Sequence, residues 1–146
     1  MTNNVFFIPG AVPSSKNSRI MTRSGMFIAS KATQRYRKNT VPYWEKYRAA
    51  FKKLMNGKEL PVIVGMHFVR GSRHRWDFIN PAQTIQDEMT KAGWIEDDNA
   101  DIILPVPLNI NGKYWSYNKS KPGVYITILS SFCEGIINPI DDDEID

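Results

Sequence analysis

Cysteine and histidine are scarce in this 146-residue chain, which contains one Cys and two His. With Cys133 alone, an internal disulfide bond and a zinc site built on cysteines are both excluded. No apolar run approaches the roughly 18 residues that a membrane helix needs. The first ten residues lack the basic start and the cleavage site of a secretory signal. We therefore expect a cytoplasmic protein without a membrane-spanning segment.

Acidic residues are nearly absent from the first half of the chain. Between residues 16 and 58 there are 12 Lys and Arg but one acid, Glu45. Such an asymmetry favours a polyanionic partner, because each neutralised phosphate releases condensed counterions. A well-solvated surface is the alternative. The last six residues, DDDEID, carry five of the 15 acids. We expect one domain over residues 1–135 and an acidic, flexible tail over residues 136–146.

The pattern of apolar and turn-forming residues predicts one small α+β domain, a mixed β-sheet with flanking helices. A serine- and lysine-rich stretch after the first strand is expected to be a long basic loop or a loose hairpin around Ser24-Gly25. Pro42 is expected to start or kink the first helix. The predicted strands and helices, in chain order, are Val5–Ile8, helix Ser30–Met55, Leu60–Val69, helix Asn80–Ala92, Ala100–Leu104 and Gly123–Leu129.

The second predicted helix has clear end signals. Asn80 is a good N-cap, Pro81 suits the first helical position, and Gly93 suits the position just past the end. The apolar stripe that should face the core consists of Ile85, Met89 and Ala92. His67 lies in the preceding strand and is expected to be a satisfied core residue.

Carboxylates lie at both ends of this helix, with Asp77 before it and Glu96, Asp97 and Asp98 after it. A helix of 13 residues is about 20 Å long, so the two groups can meet only if the chain doubles back after Gly93. Converging carboxylates would bind Mg²⁺ or Mn²⁺, which prefer hard oxygen ligands. Beside basic residues, such a site would support hydrolysis of a phosphodiester. The alternative is an ordinary solvated acidic turn.

Two segments around this helix resemble a known family. The stretch RHRWDFIN is similar to an Asp-x-Asp-Asn motif that follows a basic run, and MTKAGWIEDDNAD is similar to a segment of the type LTKAGFWLDDAQV. Both belong to the RusA family of Holliday junction resolvases, which are small phage and prophage endonucleases. The likeness covers about residues 73–101 without a gap, and extends weakly to VPSSKNSRI near the N-terminus.

The resemblance implies a homodimeric, Mg²⁺-dependent (or Mn²⁺-dependent) endodeoxyribonuclease that makes paired nicks in four-way DNA junctions. The family fold is a small mixed sheet with flanking helices. Its metal cluster uses both aspartates of the first motif and the last aspartate of the second. By position, the first of these is Asp77 and the last is Asp98, while Asp97 is the neighbouring acid. The motif asparagine is Asn80.

Two positions depart from the family pattern. Ile79 replaces the second aspartate of the first motif, and Gln83 occupies the place of a catalytic lysine. A lost carboxylate weakens the binding of a hard cation. A lost lysine removes electrostatic stabilisation of the transition state, at a cost of roughly 2–4 kcal/mol.

Two explanations of these departures stay open at this point. In the first, other residues compensate: Asp87 or Asp101 for the carboxylate, and Arg73, Arg75 or Lys91 for the positive charge. In the second, the protein binds branched DNA but cuts it poorly or not at all.

Further expectations concern DNA contacts and aromatic side chains. His74, in the basic turn, is a candidate phosphate contact, and Trp76 and Trp94 are expected to pack the walls of the site. The candidate contacts to the DNA backbone are Lys16, Asn17, Arg19, Arg73 and Arg75.

Overall fold

The computed structural model describes residues 4–14, 19–25 and 27–130, apart from the side chains of residues 19, 20 and 27–29. Two helices accompany seven strands in these ranges. The helices are α1 (Lys31–Met55) and α2 (Ile79–Lys91). The strands are β1 (Phe6–Pro9), β2 (Arg19–Met21), β3 (Phe27–Ala29), β4 (Val62–Arg70), β5 (Ile103–Pro107), β6 (Trp115–Tyr117) and β7 (Gly123–Leu129).

The main sheet is mixed and is built around β4. Its order is β1-β7-β4-β5, and β6 also pairs with β4 beyond the end of β5. The pairs β1–β7 and β7–β4 are antiparallel, whereas β4 pairs in parallel with both β5 and β6. Because β4 and β5 are parallel and α2 lies between them in the chain, the connection has to return along the sheet, as parallel strands require.

The basic stretch after β1 forms a separate hairpin in the described part of the chain. Strands β2 and β3 pair antiparallel, and the turn is closed by a 3.0 Å hydrogen bond from the Gly25 amide to the Thr22 carbonyl. This confirms the hairpin around Ser24-Gly25.

Helix α1 begins at a serine cap and runs through a proline. The Ser30 hydroxyl accepts a 3.2 Å hydrogen bond from the Thr33 amide, which satisfies one free donor of the first turn. Pro42 lies inside the helix, so it does not start it. An ion pair joins α1 to α2, with Arg37 Nε 2.8 Å from the buried carboxylate of Glu88.

The core between the sheet and the helices is rich in aromatic side chains. Trp94 is 1% exposed and stacks on Phe51 with ring centroids 4.7 Å apart. Edge-to-face contacts join it to Trp44 and Phe6. Its indole N–H donates a 2.7 Å hydrogen bond to the Trp44 carbonyl, so the ring is packed on its faces and satisfied at its polar atom.

The apolar stripe of α2 is confirmed. Ile85 and Met89 are fully buried, and the half-buried Ala92 packs against the same core. His67 is a satisfied core residue as expected: it is 1% exposed, with Nδ1 2.8 Å from the Leu108 carbonyl and Nε2 2.7 Å from the Ser116 hydroxyl.

Two expectations about element ends were wrong, and one strand was not predicted. The cap of α2 is Phe78 and makes no side-chain hydrogen bond, so Asn80 lies inside the helix. Strand β5 runs through Pro105 and Pro107, because it is an edge strand and a missing N–H costs nothing on the open side. The sequence also did not predict β6, which consists of three residues.

Neither helix of the described ranges has an apolar stretch that is long enough to cross a membrane.

Replacing Trp94 with alanine tests this description of the core. We expect the Trp94→Ala variant to lose about 3–5 kcal/mol of unfolding free energy, because a large cavity opens among three aromatic rings. Urea denaturation followed by circular dichroism measures the loss. Tyr114, which is 61% exposed, supplies the control: Tyr114→Ala should change the free energy by less than about 0.5 kcal/mol. Equal effects of the two substitutions would contradict the assignment of Trp94 to the core.

Candidate functional site

The turn after α2 sends the chain back along the helix. Gly93 has a φ of +77°, which favours glycine, and its amide donates a 3.1 Å hydrogen bond to the Thr90 carbonyl. The Trp94 amide donates a 2.9 Å hydrogen bond to the Met89 carbonyl. These two bonds form a Schellman motif, which ends the helix and reverses the chain. The side chain of Arg48 caps the same end through a 3.1 Å hydrogen bond to the Ala92 carbonyl.

The reversal brings Asp98 to the side of α2. Gln83 Nε2 donates a 2.8 Å hydrogen bond to Asp98 Oδ2 and a 3.0 Å hydrogen bond to Asp87 Oδ1. Because both acceptors lie within hydrogen-bonding distance of one nitrogen, the two carboxylates are close neighbours. The expectation that the chain doubles back after Gly93 is confirmed for Asp98.

The polar side chains of α2 follow one face of the helix. Asn80, Gln83 and Asp87 are three and four residues apart, which places them in line. Asn80 Nδ2 lies 3.5 Å from Asp77 Oδ2, a long hydrogen bond, and Gln83 connects the line to Asp98. We call these five residues the polar row: Asp77, Asn80, Gln83, Asp87 and Asp98.

The polar row contains most of the predicted site residues in two hydrogen-bonded groups, Asp77 with Asn80 and Asp87 and Asp98 with Gln83. No described contact brings the predicted pair Asp77 and Asp98 together. Asp97 is exposed and is held within its own turn, where its oxygens accept hydrogen bonds from the Asp98 amide at 2.8 Å and from Asn99 Nδ2 at 3.0 Å. Asp101 is exposed, and its backbone amide donates to Asn99 Oδ1. Among the described residues, Asp97 contacts the polar row at Asp98, its neighbour in the chain, whereas the contact of Asp101 is with Asn99.

The position of Ile79 accounts for part of the departure from the family pattern. Its side chain is 76% exposed at the start of α2, so an apolar residue there has no packing role. Asp87 supplies a carboxylate two turns further along the helix instead. Gln83 supplies neutral donors where the resemblance implied a cation.

A cleft of about 630 Å³ opens at the N-terminal end of the polar row. Asp77 and Asn80 belong to its lining, together with Pro81 and Trp76. Its charged lining residues are three cations and one acid: Arg70, Arg75, Lys119 and Asp77. The cleft is therefore net positive.

Arg70 is held in a fixed orientation at the cleft. Its guanidinium lies 5.0 Å from the centroid of the Trp76 ring and donates a 2.6 Å hydrogen bond to the His74 carbonyl. Partial burial lowers the pKa of Arg70 from its ordinary value, because desolvation disfavours the charged form. The sequence pointed only weakly to a site role for Arg70 and Lys119, since Arg70 begins the basic stretch RGSRHRWD and Lys119 lies in the polar stretch NKSKPG.

The predicted DNA contacts are distributed unevenly. Arg75 lines the cleft, whereas Arg73 lies over the ring of Tyr117, with 4.1 Å from Cζ to the centroid. Lys16 and Asn17 lie outside the described residues, as does the predicted tail of residues 136–146. Arg19 contributes its backbone to β2, but its side chain is not described. Trp76 lines the cleft as expected for a site wall, whereas Trp94 lies in the core.

The donor set of the polar row fits a hard divalent cation in part. Asp87 and Asp98 present oxygens close together, and Mg²⁺ in proteins is commonly bound by one or two carboxylates with water and substrate phosphate completing the shell. An amide oxygen is also a hard ligand, so Gln83 can contribute either as donor or as ligand. Within the described ranges, no three His, Cys, Asp or Glu residues lie close enough together to hold a metal ion.

No protein-family model matches this chain, and a search of curated proteins found no match.

Two opposite substitutions at Gln83 test the polar row. We expect Gln83→Glu to lower the free energy of unfolding by about 1–3 kcal/mol, because it removes the shared donor and adds a third negative charge. Gln83→Lys should leave the free energy of unfolding unchanged or raise it, because an ammonium group can donate hydrogen bonds to both carboxylates and also neutralises part of their negative charge. Thermal unfolding at low salt measures both. Equal changes in the two variants would contradict the contacts of Gln83 with Asp87 and Asp98.

The turn of Asp97 gives a prediction about pH. Hydrogen bonds from the Asp98 amide and from Asn99 lower the pKa of Asp97 below its ordinary value of 3.8. A lowered pKa means that the stabilisation is present above pH 3.8 and is lost as the pH falls through the folded value. The melting temperature of Asp97→Asn should therefore lie below that of the native protein at pH 7, and the gap should close as the pH falls below 3.8 and through the lowered pKa of Asp97. A gap that is constant with pH would contradict this account.

Proposed function

We propose that this protein is a Mg²⁺-dependent, structure-selective endodeoxyribonuclease that resolves four-way DNA junctions as a homodimer. The observation that carries the proposal is the polar row, in which two separate segments bring Asp98 and Asp87 to one donor. The proposal also rests on the resemblance of residues 73–101 to the RusA family. Three members of the row, Asp77, Asn80 and Asp98, occupy positions that the resemblance implies. A fourth member, Asp87, is one of the two acids expected to compensate for Ile79.

The roles in the proposed reaction follow from the side chains. Asp98 and Asp87 would hold the cation, and Asp77 would face the scissile strand from the cleft side. A divalent cation supplies a water of lowered pKa and stabilises the attacking and leaving oxygens. Arg75 and Lys119 would hold the phosphates next to the scissile bond, because cations at a phosphate position the backbone without reading its sequence.

Homodimerisation belongs to the same proposal. A four-way junction presents two equivalent strands, and a two-fold symmetric pair of subunits presents two equivalent sites. The net positive charge of the body supports binding to such a polyanion and makes that binding sensitive to salt.

A branched-DNA-binding protein that does not cut is the second candidate. Gln83 supports it, since its amide donates hydrogen bonds to both Asp87 and Asp98 and brings no positive charge. Ile79, in the place of a carboxylate, supports it as well. Both candidates predict salt-dependent binding to DNA, so the decisive measurement is cleavage.

The proposal is tested by incubating the purified protein with an end-labelled four-way junction and with Mg²⁺ or Mn²⁺. We expect paired nicks at symmetric positions, and no comparable cleavage of a linear duplex of the same sequence. Asp98→Asn should slow the nicking by at least about a hundredfold, since it removes a charged ligand at the reacting centre. Glu96→Gln is the matched control, because Glu96 is exposed, lies two residues away and loses the same charge.

The outcomes separate the two candidates. Nicking that is lost in Asp98→Asn but kept in Glu96→Gln supports the nuclease. Tight and selective junction binding without nicking in either metal overturns the nuclease and leaves the binding protein. Nicking that persists in Asp98→Asn contradicts the role of the polar row.

A further inference from the structure

The lining of the cleft beside the polar row combines two chemically different groups of side chains. The apolar group, which we call the apolar wall, consists of Val12, Phe68, Trp76 and Pro122. The cationic group, which we call the cationic wall, consists of Arg70, Arg75 and Lys119, and Arg70 lies over the Trp76 ring. A ligand that fills such a cleft needs a flat apolar part and an anionic part, and a nucleotide has both.

The apolar wall is held rigidly from behind. Trp76 makes edge-to-face contacts with Phe68 at 5.8 Å and with Trp115 at 5.7 Å between ring centroids. Phe68 is 2% exposed and belongs to the core. The indole is therefore held in place by neighbouring rings and by the Arg70 guanidinium over it, and a fixed side chain lowers the entropy cost of binding.

The loop that closes the cleft on the other side is also tied down. The Gly10 amide donates a 2.8 Å hydrogen bond to the Pro122 carbonyl, and Thr84 Oγ1 donates a 2.8 Å hydrogen bond to the Pro13 carbonyl. These bonds attach the segment after β1 to the turn before β7 and to α2. The cleft is consequently a formed cavity between fixed elements.

The cationic wall offers hydrogen-bond donors to a ligand. A guanidinium has five N–H donors, and the contact of Arg70 with the His74 carbonyl uses one of them. Arg75 and Lys119 are exposed at the opening. Phosphate oxygens accept such charge-assisted hydrogen bonds more strongly than neutral ones.

We propose that this cleft binds one unpaired nucleotide of a DNA strand, with the base against the apolar wall and the phosphate at Arg75 and Lys119. The volume of about 630 Å³ lies in the range of sites for small ligands, roughly 300–1,000 Å³. Asp77 belongs to the cleft lining, so a nucleotide bound here would place its phosphodiester near the Asp77 carboxylate.

This inference rests on the proposed function in one respect, which is that the ligand is DNA. It adds that the substrate is recognised through an unstacked nucleotide at the branch point. Unstacking costs least where a strand is already unpaired, so the cleft would favour branched or bulged DNA over a continuous duplex.

Fluorescence anisotropy in EDTA tests the inference without cleavage. Three labelled duplexes of one sequence are compared: fully paired, with one unpaired central nucleotide, and with an abasic residue in its place. We expect the unpaired nucleotide to tighten binding by about tenfold, because stacking of a base on an aromatic wall has this size of effect. The abasic duplex should bind like the paired one. Equal affinities for all three would overturn the inference.

Two variants locate the effect in the cleft. Gly71 lines the cleft, and a Cβ there would lie 3.8 Å from both Pro122 and the Lys119 carbonyl. Gly71→Leu should therefore fill the cleft and abolish the tenfold preference, while circular dichroism reports whether the fold is kept. Lys119→Ala should weaken binding of the unpaired nucleotide at least about threefold more than Lys113→Ala, whose exposed side chain lies outside the cleft lining. A preference that survives in both cleft variants would overturn the assignment.

A free nucleotide is the alternative ligand, because it carries the same base and phosphate groups as a nucleotide of a DNA strand. We expect millimolar deoxynucleoside monophosphate to compete only weakly with the bulged duplex, because it lacks the flanking phosphates. Displacement at micromolar concentration would overturn the assignment to a DNA strand. The nuclease assay separates the two proposals: nicking without a preference for the unpaired nucleotide removes this inference alone, and the preference without nicking removes the nuclease alone.

Discussion

The reversal of the chain at Gly93 and Trp94 is the constraint on which both the core and the candidate site depend. The left-handed conformation of Gly93 and the two amide hydrogen bonds end α2 and turn the chain back. Burial of the Trp94 ring among Trp44, Phe51 and Phe6 holds the turn against the body of the domain. Loss of this turn would separate Asp98 from α2, although neither residue of the turn belongs to the polar row.

Helix α2 contributes one face to the core and another to the candidate site. One face buries Ile85 and Met89 in the core, and this packing sets the rotation of the helix about its axis. The other face therefore presents Asn80, Gln83 and Asp87 to the returning segment. Because the buried face is tightly packed, the polar side chains start from a fixed backbone, which is what a site that positions a phosphodiester requires.

The interpretation of Gln83 changes most between the sequence and the structure. By resemblance it marks the loss of a catalytic lysine. In the folded chain it is the donor that two carboxylates share. This arrangement brings Asp87 and Asp98 to one donor, while Ile79 faces solvent.

Much of the fold could be predicted from local patterns. Strand β7 was predicted with its observed ends because it is a short apolar run between turn signals. Helix α1 followed from the periodicity of its apolar residues, and the end of α2 followed from a glycine stop. The predicted start of α2 was wrong because the Asn80 side chain donates a hydrogen bond to Asp77 and does not cap the helix. Strand β6 was missed because three residues become a strand only by pairing with the exposed end of β4.

The sequence by itself determined the α+β class, the basic surface, the apolar stripe of α2 and the position of the reversal, since each depends on residues that are near one another in the chain. The tertiary structure alone decided which acids meet. Gln83 brings Asp87 to Asp98, whereas Asp97 stays in the exposed turn beside Asp98, because the direction of the returning segment and the rotation of α2 are set by packing against the core. The cleft was likewise decided by the fold, since its lining comes from three separate segments, which contain Val12, Arg70 with Trp76, and Lys119.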